Sequence, residues 1–89
     1  MPPDFFEVNM RLDKFLKVSR IIKRRTIANE ACDNGRIYVN GKVVKASYSV
    51  KVNDVISIVF GNNTREYRVL KVEDNVSKDK AAELYEIIK

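Results

Sequence analysis

The segment from Arg11 to Asn40 constrains the fold most, because its apolar periodicity changes from helical to strand-like over a short distance. Apolar residues first recur at helical spacing, at positions 12, 15, 16, 21 and 22. A second helix is predicted over about Arg24 to Asn34, and Gly35 is a stop signal, since glycine takes the left-handed conformation common at helix C-termini. Apolar and polar residues then alternate from Ile37 to Asn40. The segment therefore predicts two short helices that lead directly into a strand.

The rest of the chain predicts a small sheet and a last helix. Asn40-Gly41 supplies the positive backbone angles of a tight hairpin turn before Lys42 to Val44. Val55 to Phe60 and Arg65 to Val72 are typical of two strands joined by a loop. Ser77 predicts an N-cap, because apolar residues follow it at helical spacing, at Ala81, Leu84, Tyr85 and Ile88. We expect an α+β fold in which two N-terminal helices pack on a small, mostly antiparallel sheet, with a C-terminal helix added.

The length of 89 residues fits one domain with one core. Residues 1–9 show no period and hold both prolines, so we expect a flexible leader or an extension from an upstream start codon. Residues 10–89 are predicted to form the domain. The apolar runs are far shorter than a membrane span needs, and the single Cys32 cannot form an internal disulfide, which favours a reducing cytoplasm.

The composition argues against catalysis. Histidine is absent and cysteine occurs once, which removes the usual zinc sites and the usual pairs of nucleophile and imidazole. Asp54 follows Asn53 in a turn pattern, with no second carboxylate or base close to it in sequence. Cys32 shares an apolar stripe with Ala28 and Ala31, which predicts a buried structural thiol. We therefore expect no catalytic residue, no metal site and no cofactor.

The positive charge of the chain is concentrated between Arg11 and Arg25. This segment holds seven basic residues and one acid, Asp13, a net charge of +6 in a chain whose total is +5. The remaining residues sum to about neutral, so the basicity belongs to one surface and not to the whole chain. The seven basic residues are Arg11, Lys14, Lys17, Arg20, Lys23, Arg24 and Arg25. As an exposed basic side chain, Arg25 is expected to add little to folding stability.

A phosphate ligand explains this charge better than a solvated helix face does. Solvated helices usually mix charges of both signs, whereas here like charges stand unrelieved. Lys23, Arg24 and Arg25 also lie at the predicted start of the second helix, where the helix dipole disfavours cations. A docked phosphate would meet free backbone N–H groups and guanidinium groups there. Tyr38 and Tyr48 could stack on bases, but we interpret them as residues that cover the edge of the core.

Several motifs in the chain resemble a known family. They are RLDKFL at 11–16, Arg20, Arg24, Ala28, GRIYVNGKVVKAS at 35–47, Val50 and NDVI at 53–56. Together they resemble the small RNA-binding domain first described in ribosomal protein S4, which is also found in pseudouridine synthases and tyrosyl-tRNA synthetases. Beyond residue 9 the chain is similar to stand-alone members that act in bacterial ribosome-associated quality control. It is more distantly similar to the ribosome-associated heat-shock protein of fifteen kilodaltons.

The resemblance implies a non-enzymatic factor that binds rRNA and tRNA on large ribosomal subunits obstructed by peptidyl-tRNA. It also implies support for a tailing partner of the NEMF type, which adds alanine to the C-terminus of the stalled chain. We expect a monomer. The family's motif residues map to Arg11, Lys14, Arg20, Arg24 and Arg25, with Asn40, Lys42 and Lys45 flanking the hairpin.

Three other functions remain open from the sequence. The first is a general binder of structured RNA or a ribosome-recycling heat-shock factor. The second is an RNA-modifying enzyme, since related domains are fused to such catalysts, although the residues after the motif offer no catalytic aspartate in a plausible pocket. The third is a protein-interaction module that uses the predicted C-terminal helix.

The basic segment predicts that RNA binding depends strongly on salt. If four to six phosphates are neutralised, the logarithm of the affinity for structured RNA should fall against the logarithm of salt concentration with a slope of roughly −3 to −5. Titrations of one RNA at several salt concentrations measure this slope. A slope near zero would exclude the basic segment as the binding surface.

Overall fold

The structure is a computed structural model that describes residues 10–73 and 76–88. These residues contain two α-helices and seven β-strands. The predicted leader, residues 1–9, lies outside them. In chain order the elements are β1 (Met10–Arg11), α1 (Leu12–Val18), α2 (Arg25–Asp33), β2 (Ile37–Val39), β3 (Lys42–Val43), β4 (Ser49–Val50), β5 (Val55–Phe60), β6 (Asn63–Val69) and β7 (Tyr85–Ile87), with a 3₁₀ helix at Ala81–Leu84.

The strands form two antiparallel sheets. The larger has the order β3-β2-β5-β6-β7, and the smaller pairs β1 with β4. Strand β5 is central, and its register places Ile58 opposite Ile37 and Ile56 opposite Tyr67. These side chains are all buried, because alternate residues of a strand point to the same face of a sheet. The α+β class and the antiparallel sheet that the sequence predicted are confirmed.

Both N-terminal helices pack on the hydrophobic core. Leu12, Phe15 and Leu16 of α1 are fully buried, whereas α2 buries the small side chains of Ala28 and Cys32. Small residues at the contact let two helices approach closely. Burial raises the pKa of the Cys32 thiol to about 11, helped by the charges of nearby aspartates. The prediction of a buried structural thiol is therefore confirmed.

Helix α1 is shorter than its apolar pattern indicated, since it ends at Val18 and not near Ile22. The hydroxyl of Ser19 donates to the Leu16 carbonyl (3.3 Å), and Arg20 takes a left-handed backbone with φ +65°. The Ile22 N–H then donates to the same Leu16 carbonyl (3.1 Å). This turn brings the Ile22 side chain back onto the core, so its burial does not require a continuous helix.

The predicted turns are confirmed. Gly35 ends α2 with φ +70°, and the N–H of Arg36 donates to the Ala31 carbonyl (2.9 Å), the pairing of a Schellman cap. Asn40 and Gly41 both have positive φ between β2 and β3, as the hairpin signal required.

Asp54 is a structural turn residue, as predicted. Its carboxylate is nearly buried and accepts hydrogen bonds from the Tyr48 hydroxyl (2.8 Å), the Asn40 amide (3.1 Å) and the Lys51 N–H (2.9 Å). Burial raises the pKa of Tyr48 to about 12, with a further contribution from Asp54. Tyr48 packs against the core, which confirms the interpretation that it covers the core edge.

The prediction of a C-terminal α-helix is wrong. Ala81–Leu84 forms only a 3₁₀ helix, and Tyr85–Ile87 is a strand that pairs with β6. The helical spacing of Ala81 and Leu84 reflects their burial in the 3₁₀ turn, but Ile88 is exposed. Pairing with β6 satisfies backbone groups along that edge of the sheet, and the Tyr85 ring packs edge-on against Tyr67 at 5.3 Å. Tertiary pairing has thus overridden the local pattern.

Candidate nucleic-acid interface

Most of the predicted basic residues face one concave surface. It has a volume of about 550 Å³, lies beside α1 and the turn that leads to α2, and is completed by Val18 and Val76. We call this surface the basic cleft. The sequence placed these residues on two helices, and the fold brings them together. The basic residues that line it are Lys14, Lys17, Arg20, Lys23 and Arg25.

Arg20 occupies an unfavourable backbone conformation within the basic cleft. Its φ of +65° is left-handed, a conformation that costs roughly 1–2 kcal/mol for a residue with a Cβ. Glycine would avoid this cost. Strain of this kind often marks functional sites, where a particular side chain is needed in spite of its backbone. The guanidinium of Arg20 gives the cleft a charge that glycine could not supply.

A buried carboxylate, that of Asp13, lies next to Arg11 and Arg25. Asp13 is 1% exposed and accepts hydrogen bonds from the Lys14 N–H (2.8 Å) and the Asn29 amide (3.3 Å). It also pairs with Nε of Arg11 (3.3 Å) and Nε of Arg25 (3.2 Å), two side chains that stay about half exposed. Nη2 of Arg11 also donates to Asp13 (3.4 Å), so this carboxylate fixes two arginines that the sequence separates.

The charge state of Asp13 follows from these partners. Burial alone would raise its pKa, but the hydrogen bond and charge of Arg25, the charge of Arg11 and the Lys14 N–H together outweigh it. The pKa of Asp13 is therefore held below the ordinary value of 3.8. The carboxylate stays ionised near neutral pH and keeps both arginines in place.

The expectation that Arg25 adds little to stability needs correction. Arg25 is the partner of an almost fully buried carboxylate, and removing one member of such a pair leaves a charge that is poorly compensated. Arg11 and Asn29 would still contact Asp13, which limits the loss to about 1–2 kcal/mol. A binding defect in an Arg25 variant therefore mixes two effects.

Three other predicted basic residues do not line the basic cleft. Arg24 is exposed at the N-cap position of α2, where no side chain caps the helix. Lys45 is exposed beside the start of α1, because the N–H of Asp13 donates to the neighbouring Ala46 carbonyl (3.2 Å). Lys42 is exposed on the edge strand β3.

Asn40 has both ends of its amide engaged within the protein. Its nitrogen donates to Asp54 (3.1 Å) and its oxygen accepts from the Val55 N–H (3.0 Å). A role in RNA binding stays a prediction for this residue, and its visible role is to hold the hairpin turn.

The arrangement suits ligands rich in phosphate. Within the described residues no acid lines the basic cleft, and the uncapped start of α2 adds free N–H groups beside Arg24 and Arg25. Exposed lysine and arginine side chains can contact several phosphates at once, which fixes position without reading bases. Over the same residues no group of three or more histidine, cysteine, aspartate or glutamate side chains could hold a metal ion.

Sequence reasoning missed the role of Asp13 as the buried partner of Arg11 and Arg25. A signal was present, since Asp13 is the only acid in a segment with seven basic residues. It also missed Asn29, whose contact with Asp13 spans sixteen positions and has no local pattern.

Comparison with known proteins agrees with this geometry. The family model described as "S4 domain" matches residues 10–56, the region that contains all the predicted binding residues. A protein of Streptococcus pneumoniae named "RQC P-site tRNA stabilizing factor" is 57% identical over 79 residues, which cover 89% of this chain and 90% of that protein. A Bacillus subtilis protein of the same name is 50% identical over 80 residues, with 90% and 93% covered.

The fold also resembles a solved structure. Heat Shock Protein 15 of Vibrio cholerae, described as trimeric, superposes with a TM-score of 0.83 at 28% identity, covering 91% of this chain and 83% of that one. An Aeromonas salmonicida "Heat shock protein 15 homolog" is 36% identical over 78 residues, or 86% of this chain and 59% of that one. Among residues 10–73 and 76–88, no helix has the length and apolarity needed to cross a membrane.

The strain at Arg20 predicts a variant that gains stability and loses binding. Arg20→Gly should be more stable than Arg20→Ala by about 1 kcal/mol, because only glycine relieves the left-handed backbone. Both variants should bind structured RNA more weakly than the wild type and reduce the salt slope by about one. Chemical denaturation and RNA titration measure the two effects. Equal stability of the two variants, or unchanged binding, would contradict this account of Arg20.

The lowered pKa of Asp13 predicts a pH dependence of stability. Because the pKa of Asp13 is lower in the folded protein than the ordinary value of 3.8, the ionised carboxylate stabilises the fold at neutral pH. This stabilisation is lost as the pH falls below 3.8 and through the lowered pKa of the folded state. Asp13→Asn should cost about 2–3 kcal/mol at neutral pH, and its difference from the wild type should shrink in acid. Denaturation curves over a range of pH test this. A constant difference down to strongly acidic pH would show that Asp13 does not act through its charge.

Proposed function

The chain belongs to the S4 domain family, and we propose that it is a non-enzymatic factor of bacterial ribosome-associated quality control. It binds rRNA and tRNA on large ribosomal subunits obstructed by peptidyl-tRNA and supports alanine tailing of the stalled chain. The observation that carries the proposal is the basic cleft, with five lysine and arginine residues converging on one surface. The name "RQC P-site tRNA stabilizing factor", borne by relatives at 57% and 50% identity, supports P-site tRNA as one RNA that this chain binds.

The geometry suits recognition of RNA by shape. Side chains cannot read the deep major groove of an A-form helix, so proteins contact its phosphates and hydroxyl groups. The basic cleft presents Lys17, Arg20 and Lys23 as exposed charges, while Asp13 fixes Arg11 and Arg25 at a defined separation. Cations that are fixed by Asp13 and cations that are simply exposed can together contact a folded RNA backbone whose phosphates are close in space but distant in sequence.

Binding energy alone accounts for the proposed activity. A protein that stabilises one arrangement of tRNA and subunit shifts the population toward it, by as much as it binds that arrangement more tightly than the others. Such a factor acts only while it is bound, and it needs no catalytic group. A tailing partner of the NEMF type would then work on the arrangement that this chain stabilises.

The protein is proposed to act in the cytoplasm as a monomer, with residues 10–89 as its single domain. The predicted RNA-binding set stays as proposed: Arg11, Lys14, Lys17, Arg20, Lys23, Arg24, Arg25, Asn40, Lys42 and Lys45.

A second candidate function is that of a ribosome-recycling heat-shock factor. The likeness to Heat Shock Protein 15 favours it, with a TM-score of 0.83. The identity is lower, however, at 28% for that structure and 36% for the Aeromonas relative. A test of alanine tailing separates the two functions, since only the quality-control factor supports the tail.

Charge reversal in the basic cleft should abolish association with obstructed subunits. We expect Lys17→Glu combined with Lys23→Glu to remove co-sedimentation with large subunits that carry peptidyl-tRNA, and to remove alanine tailing in cells. Both residues are exposed and contribute no contact to the core, so the fold should persist. Sucrose-gradient sedimentation and mass analysis of stalled chains measure the two effects.

The matched control reverses two exposed lysines outside the predicted site, Lys51→Glu with Lys71→Glu. This variant has the same net charge, and we expect it to keep most of the association. Equal loss in both variants would show a general charge effect and no site. Wild-type protein that sediments equally with empty and obstructed subunits would defeat the quality-control function and leave a general RNA binder.

A further inference from the structure

An apolar groove lies between α2, the end of β5 and the turn that follows α1. Its volume is about 520 Å³, and Ile21, Ile27 and Phe60 are among the residues that line it. Ile27 is 50% exposed and Phe60 is 43% exposed. Single exposed apolar residues are ordinary, but large ones that share a groove mark an interaction site. The basic cleft does not include either residue.

The groove adjoins the basic cleft at Lys23. Lys23 lines both surfaces, so a ligand bound by its ammonium group can extend into either one. Arg36 adds a second cation to the groove, which gives it an attraction for a backbone of phosphates. Glu30 and Asn34 also line it and supply hydrogen-bonding groups beside the apolar side chains.

We propose that the groove receives an unpaired nucleobase of the bound RNA, stacked against Phe60, while Lys23 holds the adjacent phosphate. This inference rests on the proposed RNA-binding function and adds to it a site for a base. Unpaired bases of RNA are commonly recognised by stacking on aromatic side chains. The groove volume lies within the range of small-ligand sites, so a single base has room in it.

The charges favour a base over other occupants. The carboxylate of Glu30 repels a phosphate, but it can accept hydrogen bonds from the amino group of a base. Asn34 can both donate and accept at a base edge. A segment of a partner protein would also cover Ile27 and Phe60, but it would pair with the shared Lys23 only if it carried an acidic side chain there, whereas every nucleotide carries a phosphate next to its base. The groove therefore matches a nucleotide whose phosphate and base are held on two adjoining surfaces.

The test compares three RNA duplexes of the same length. One is fully paired, one carries a single bulged adenosine, and one carries an abasic nucleotide at the same bulge. We expect the wild type to bind the bulged adenosine about tenfold more tightly than either other duplex, the effect of one stacked base. As the salt concentration rises, the affinity for all three duplexes should fall. The preference for the bulged adenosine should stay the same, because stacking of a base releases no counterions.

Substitutions at Phe60 identify the site. Phe60→Ala and Phe60→Leu should remove most of the preference without weakening binding to the paired duplex, and Phe60→Trp should keep it. Ile27→Ala should reduce the preference as an independent variant. Val52→Ala, at a side chain 52% exposed outside the groove, is the matched control and should behave as the wild type. Thermal melting confirms that each variant is folded.

Several outcomes would overturn this inference. A wild type that binds the three duplexes equally would do so, as would a Phe60→Ala variant that keeps the preference. A Phe60→Leu variant as effective as the wild type would indicate a groove that needs only an apolar side chain, as for a protein segment. A wild type that binds none of the duplexes, or binds them with an affinity that salt does not change, would contradict the proposed RNA-binding function itself. Failure of the base site and failure of the RNA-binding function can therefore be told apart.

Discussion

The buried carboxylate of Asp13 is the interaction on which the binding face depends. It lies in α1 and contacts Arg11 before that helix, and Arg25 and Asn29 in α2. A buried charge is tolerable only with close partners, so the two helices are held where these partners can reach it. The same contacts fix two arginines at the surface. The contacts that stabilise the packing of α1 and α2 therefore also place the proposed binding groups, and a substitution at Arg25 affects both.

The basic cleft and the adjoining start of α2 carry features that oppose folding. Like charges lie close together, cations lie at the start of α2, and Arg20 is held with a left-handed backbone. Each of these costs free energy in the isolated protein. The core supplies the stability that tolerates them, through fully buried side chains such as Phe15 and Ile56. Local rules are broken at one surface, and at that surface a bound phosphate would relieve the repulsion.

Two kinds of contact meet at Lys23. The basic cleft carries positive charge, which gives affinity for any folded RNA. The apolar groove contains Ile27 and Phe60, whose side chains do not bind phosphate. Charge alone would attract the protein to every RNA in the cell. A base held in the groove would add preference for an RNA with an unpaired nucleotide at one position. The two surfaces together can combine fast, general attraction with a selective contact.

The sequence by itself determined the elements whose signals are local. The positive φ values at Gly35, Asn40 and Gly41 could be read from residue type, and so could strand β5 from its alternation and the basic segment from its charge. Only the tertiary structure decided the rest. The segment from Ala81 to Ile88 has helical spacing, yet most of its second half is a strand, because the edge of β6 provides backbone partners that no local pattern records. The contact of Asp13 with Asn29 and the meeting of Ile27 with Phe60 at one groove join residues distant in sequence. Such contacts depend on how elements pack, and periodicity within a single element carries no information about them.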